Sequence, residues 1–229
     1  MRTTLRDRLP LRFPASAHPA KAFKTQRPNG PAPKGSNFMK RLALVSGILA
    51  LAAPLAMAQT STWISDQAHS DVGFSVTHLG ISKVHGSFGK VAATIAFNDA
   101  DITKSTVSAT IDVSTIATGQ EPRDNHLKTD AFFDVAKFPT ATFSSTSVAR
   151  DGSNLKVSGN LTLHGVTKPV VLEVEGPTGP VQGMDHKSHA GFSATTTISR
   201  TAFGIGTSFP TAAVGDDINL TLDLDVVKQ

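Results

Sequence analysis

The chain has 229 residues, room for one domain or two small ones, with no Cys, no Tyr and 6% aromatics. Without Cys, disulfides, zinc-thiolate and iron–sulfur sites and thiol nucleophiles are all excluded. The formal net charge of +4 is unevenly spread: residues 1–58 carry ten Lys/Arg and one acid, Asp7, which leaves twelve basic and seventeen acidic residues in 59–229, a net of −5 that argues against phosphate-driven nucleic-acid binding.

Residues 1–38 are Pro- and Arg-rich, lack hydrophobic periodicity and read as a leader. An upstream start assigned in error explains them most simply; a disordered leader or a transit peptide are the alternatives. Residues 39–58 have the three parts of a signal peptide. Met39-Lys40-Arg41 is the positive region, Leu42 to Ala56 is uncharged, and Ala56-Met57-Ala58 offers small residues for cleavage. An apolar run of that length, broken by Pro54, falls short of the roughly 20 residues a spanning helix needs. The expectation is a periplasmic or secreted protein that starts near Gln59, does not span a membrane after cleavage, and forms one domain over 59–229.

Period-two alternation then dominates. Val72, Phe74 and Val76 share one face. Val91, Ala93, Ile95 and Phe97 share the next, followed by Val107, Ala109, Ile111 and Val113. Ala141 and Phe143 mark a strand after Pro139, and Leu155, Val157, Gly159, Leu161 and Leu163 another. Val170 to Glu175 and Phe192 to Ile198 follow, and Ile218, Leu220, Leu222, Leu224 and Val226 form the last apolar row. Turn signals stand at Asn98-Asp99, Asp151-Gly152, His164-Gly165, Gly176-Pro177 and Gly215-Asp216. Between the third and fourth strands, Glu121 to Lys128 reads as a short helix, with Pro in its first turn and acids near its start. Phe132, Phe133 and Phe138 after it are a lid or core packing.

About eight strands, each apolar on one face, leave two edges and a greasy face exposed unless the sheet closes. The pattern predicts an all-β fold, an eight-stranded antiparallel barrel with the helix near its mouth, with a sandwich as the competing architecture. A barrel of this size holds either a solid core or one small ligand. Ala93, Ala109, Ala141, Gly159 and Ala194 on the inner faces leave both readings open: small residues facing one another would form a tunnel, or they fit the taper of a filled core.

Seven blocks in order resemble the YceI family: His69 to His78, Val84 to Phe88, Arg123 to Leu127, Phe132 to Pro139, Gly159 to Val170, Arg200 to Ile205 and Val214 to Ile218. They run from about residue 63 to 227. The resemblance implies an extended lipocalin-like barrel in periplasmic or secreted proteins that bind polyisoprenoids, isoprenoid quinones or other long amphiphiles. It attaches no catalytic residue.

The candidate ligand-binding residues are Phe74, Val76, Ile95, Phe97, Ile111, Phe133, Phe138, Phe143, Leu161, Leu163, Phe192, Ile198, Phe203 and Leu222. The head group is expected near 121–139, against a polar rim of His78, Arg123 and His126. No cofactor is expected beyond a bound polyisoprenoid or isoprenoid quinone, and no catalytic or metal-ligating set. His69, His78 and His85 around the first strand are rim residues or turn caps. His186 and His189 have ligand spacing only if helical, and the residues around them suggest a loop. Arg123, Asp124 and His126 are an acid–base cluster or the salt-bridged start of a helix. The leading function is a carrier or sequestering protein for a long-chain amphiphilic lipid. The rivals are a quinone-linked redox partner and a stress-response barrel without a stable ligand. The composition leaves a homodimer open.

Overall fold

A computed structural model describes residues 59–229 and the isolated Gly30. The leader and signal-peptide expectations for 1–58 therefore lie outside the described residues. The wall of the fold is built from β1 (Thr60–Ser65), β2 (Asp71–His78), β3 (Ser82–Phe88), β4 (Val91–Asn98), β5 (Thr106–Asp112), β6 (Ile116–Ala117), β7 (Thr140–Asp151), β8 (Asn154–Leu163), β9 (Val166–Gln182), β10 (Ser188–Ser199) and β11 (Val214–Lys228). One helix, α1 (Glu121–Leu127), interrupts them.

Every pairing is antiparallel, and the order β1-β4-β5-β7-β8-β9-β10-β11 returns to β1. β11 lines up with two elements on the same side, Ile218 to Asp223 with β2 and Val226 to Lys228 with β1. β1 and β2 are thus two halves of one barrel strand, and β3 and β4, which face them, are two halves of the next. β5 and β6 form a third split strand, broken by a 3-10 turn at Val113–Thr115. The result is an eight-stranded closed barrel with the meander connectivity expected from the alternation, not a sandwich.

Each of the eight predicted runs falls on a different barrel strand. β1 and β3 give no such signal, because their sequences, TSTWIS and SKVHGSF, carry too few apolar residues to show a period. At the break after β1 the ladder is completed by a side chain: the Ser70 hydroxyl donates to the Asp225 carbonyl and accepts from its N–H, each at 3.2 Å. Ser65, buried, does the same for β4, donating to the Val91 carbonyl at 3.0 Å and accepting from Ala93 N–H at 2.8 Å. Such bonds satisfy backbone groups that the split would orphan.

Two predicted turns are strand. Gly176-Pro177 lies inside β9, where the β9–β10 register shifts, and Gly215-Asp216 opens β11. Gly176 is needed there for close approach, since a Cβ would fall 2.8 Å from the Gly191 carbonyl oxygen. His164-Gly165 does turn, with φ of 52° and 75°, the paired positive values of a tight hairpin.

The connections sort to two ends. One end carries the 79–81 turn, α1 with the segment to Pro139, the His164-Gly165 turn and residues 200–213. The other carries the 99–105, 152–153 and 183–187 connections. The first, upper, end is closed by a cap in which the Phe132 and Phe209 rings stack at 4.7 Å, with Phe203 and Ile205 buried beside them. At the lower end Trp63, Ile95, Ala190 and Val226 form a separate buried cluster, with Phe97 and Phe192 against it.

Candidate ligand-binding cavity

The inner faces of the strands enclose two cavities, each of about 110 Å³, one towards each end. Val72, Ile111, Leu161 and Leu220 line both and form a waist between them. The lower cavity is bordered by Ile95, Phe97, Phe143, Phe192, Ala194 and Leu222, among others. The upper one lies under the cap, against Phe74, Val76, Phe132, Phe133, Leu163 and Ile198. The space is largely apolar because the inward rows of the strands are mostly apolar and the polar rows face out; Thr196 on the lower cavity and Arg200 on the upper are exceptions. The inward row from Leu155 to Leu163 alone spans about 26 Å of strand, or about 20 Å along the axis of a barrel with strands tilted by roughly 40°.

The structure brings twelve of the fourteen predicted lining residues to one cavity or the other: Phe74, Val76, Ile95, Phe97, Ile111, Phe133, Phe143, Leu161, Leu163, Phe192, Ile198 and Leu222. Phe138 and Phe203 border neither. Phe138 turns away to pack edge-on against His164, ring centroids 4.8 Å apart, and over Gly165. Phe203 is buried within the cap and the wall below it.

The small inner residues act differently from a simple tunnel. A Cβ on Gly159 would lie 2.4 Å from Phe143 Cζ, and one on Gly86 would lie 2.4 Å from Phe74 Cζ. These glycines seat aromatic rings from the neighbouring strand, so the open space lies elsewhere. Ala109 and Ala194 do border the lower cavity, and Ala141 the upper.

The predicted rim is at the upper end but does not converge on the cavity. His78 is exposed at the end of β2. Arg123 donates from Nε to Thr118 Oγ1 at 2.7 Å and from a terminal nitrogen to the Thr118 carbonyl at 2.9 Å, while Asp124 accepts from Thr118. That trio pins α1 to the chain before it. His126 lies edge-on to Phe132 at 5.2 Å and to Phe209 at 5.9 Å. Its role in this geometry is to pack the cap.

The charged residue that does border the upper cavity is Arg200, 2% exposed, which is not among the expected site residues. Its guanidinium donates to the carbonyls of Ile205, Gly206, Phe209, Val214 and Gly215 at 2.6–3.0 Å. Five acceptors on one cation fold residues 200–215 into the cap. The Asp216 carboxyl beside it is held below its ordinary range by hydrogen bonds from the Thr201 and Ser199 hydroxyls, then from Thr201 N–H.

A second polar cluster lies on the outside, near the break after β1. His189 Nδ1 is 2.8 Å from Asp225 and its Nε2 is 3.1 Å from Asp185. His69 Nδ1 is 2.8 Å from Asp66. Hydrogen bonds to Asp225 and then Asp185 raise the His189 pKa, and the bond to Asp66 raises that of His69. His186 sits in the turn between β9 and β10, while His189 is on β10, so these two do not share a helix face.

Residues 63–226 match the YceI-like domain. Protein YceI of Salmonella arizonae is 38% identical over 161 residues, which cover 70% of this chain and 83% of that one. Among solved structures, the Campylobacter jejuni YCEI protein superposes with a TM-score of 0.60 at 38% identity, covering 72% of this chain and 96% of that one. Burkholderia cenocepacia BcnA gives a TM-score of 0.63 at 25% identity, covering 70% and 98%. A polyisoprenoid binding domain from Saccharophagus degradans has the same fold, with a TM-score of 0.52 at 15% identity over 75% and 100% of the two chains. Order of strands, motif blocks and relatives agree, and the chain belongs to the YceI-like domain family.

Proposed function

We propose that this protein binds a long-chain isoprenoid or similar amphiphilic lipid inside the barrel and carries or sequesters it, as a binding protein and not an enzyme. The observation that carries the reading is the pair of apolar cavities set end to end across the Val72, Ile111, Leu161 and Leu220 waist, a shape suited to one extended chain. The Saccharophagus degradans domain of the same fold, described as polyisoprenoid binding, supports the ligand class. Burial at ~0.8 kcal/mol per methylene makes chain length the main determinant of affinity. The signal-peptide pattern of residues 39–58 supports a periplasmic setting.

The test is to express the full chain in a bacterial host, purify it without detergent, extract it with organic solvent and analyse the extract by mass spectrometry. A stoichiometric prenyl lipid, isoprenoid quinone or fatty amphiphile is expected. A clean extract that stays clean after incubation with prenyl lipids would overturn the proposal.

A further inference from the structure

The barrel wall parts between β9 and β10. β8 and β9 stay paired up to Leu163 and Val166, and β10 and β11 stay paired up to Ser199 and Asp217. The β9–β10 ladder stops at Glu173 and Thr195. Beyond it, residues 166–172 of β9 and 196–199 of β10 share no rungs. A groove of about 670 Å³ occupies the parting. Val170 and Thr196 border both this groove and the lower cavity, and Ile198 borders both the groove and the upper one. One layer of side chains therefore separates the groove from the ligand space. Both ends of the barrel, by contrast, carry packed side chains, the stacked Phe132 and Phe209 rings above and the Trp63 cluster below.

Lys168 gives the groove its chemistry. It stands opposite Leu161 in the β8–β9 register, on the row of β9 that otherwise places Val170, Leu172 and Val174 against the lower cavity. Yet it borders the groove and neither cavity. It is the one charged residue in the groove lining and forms no ion pair among the described residues. A cation at an otherwise apolar inward register position, diverted into an opening in the wall, has the placement of a head-group contact.

We infer that the parting between β9 and β10 seats the ligand's head group, that the tail passes inward beside Val170 and Ile198, and that Lys168 favours an anionic head group such as a phosphate or carboxylate. This rests on the binding function proposed above. It shifts the expected head-group position from the 121–139 rim to the side of the barrel. The tail still supplies most of the affinity, and the lysine sets a preference between lipids of equal chain length.

The experiment measures binding of geranylgeranyl monophosphate and geranylgeraniol to the full chain, and to K168Q and K168R, by Trp63 fluorescence and by competition at low and high salt. The wild type is expected to bind the phosphate about tenfold more tightly than the alcohol, a preference that shrinks with salt. K168Q should lose that preference while still binding the alcohol as the wild type does, and K168R should keep it. A preference retained in K168Q, or equal binding of both lipids by the wild type, overturns the head-group assignment and leaves the cavity reading intact. Inorganic phosphate that competes as well as the lipid would assign Lys168 to a free anion and also overturn it. Failure of both lipids to bind overturns the cavity reading itself.

Discussion

Replacing Arg200 with Met tests whether one buried cation organises the cap. Met fills much of the arginine stem's volume, so the loss is mainly electrostatic and not a void. The guanidinium serves five carbonyls between Ile205 and Gly215. A buried acceptor left without a donor costs about 1–3 kcal/mol. The cap lies at the end of the barrel, so water can reach some of these oxygens once the side chain is gone. With two or three left dry, the expected loss is about 3–5 kcal/mol. For a domain of this size, at about 2–4 °C per kcal/mol, the melting temperature should fall by about 10 °C. Far-UV circular dichroism melts, with urea titrations to compare slopes, give the measurement. Arg200→Lys keeps the charge without the planar fork and should recover less than half of the loss. An Arg200→Met melting temperature within about 2 °C of wild type would refute the reasoning.

Other substitutions probe the interior and the outer cluster. Gly159→Ala drives a Cβ into the Phe143 ring and the Ser144 carbonyl, and should cost about 1–3 kcal/mol; urea unfolding should show a smaller penalty in a Phe143→Ala background, and an unchanged penalty would exclude the ring as its cause. Ala194→Leu fills part of the lower cavity, so extracts analysed by mass spectrometry should shift to shorter chains; an unchanged length distribution would mean that the tail does not reach it. Because His189 has a raised pKa, its contribution to stability is complete below the ordinary histidine value of about 6.5 and is lost as pH rises through the folded-state value. The wild-type melting temperature should therefore decline as pH rises above the ordinary histidine value, and His189→Gln should flatten that decline, leaving the part due to His69 on Asp66. Equal slopes in the two proteins would rule out the His189 contribution.

The barrel was legible because each of its eight strands contains at least one stretch where core and solvent alternate cleanly, as Ile218 to Val226 do in β11. The same alternation placed most of the cavity lining, since inward parity decides which side chains can reach it. The polar site was less legible. Arg123 and His126 form a dense polar patch in the sequence, yet they are engaged with Thr118 and with the Phe132 and Phe209 rings. Arg200 stands in a motif block, but its five acceptors are backbone carbonyls that carry no residue-type signal. Lys168 would have stood out had the alternation of β9 been extended back from Val170, where it breaks an apolar row. The loss of pairing between β9 and β10 depends on register over two long strands, which local pattern does not encode.

Seven of the eight joints in this wall link strands that are neighbours in the chain and can zip as hairpins. The eighth, between β11 and the β1–β2 strand, joins residues as far apart as Trp63 and Lys228. During synthesis the first strand must wait, with Trp63 and Val72 uncovered, until the last fifteen-residue strand has emerged. Closure is then a late, long-range step whose loop entropy is met only when the whole meander is present. A nascent chain that lacks β11 is expected to remain an open, chaperone-dependent curl, so loss of even a short carboxy-terminal segment should abolish the barrel as a unit and not merely trim its rim.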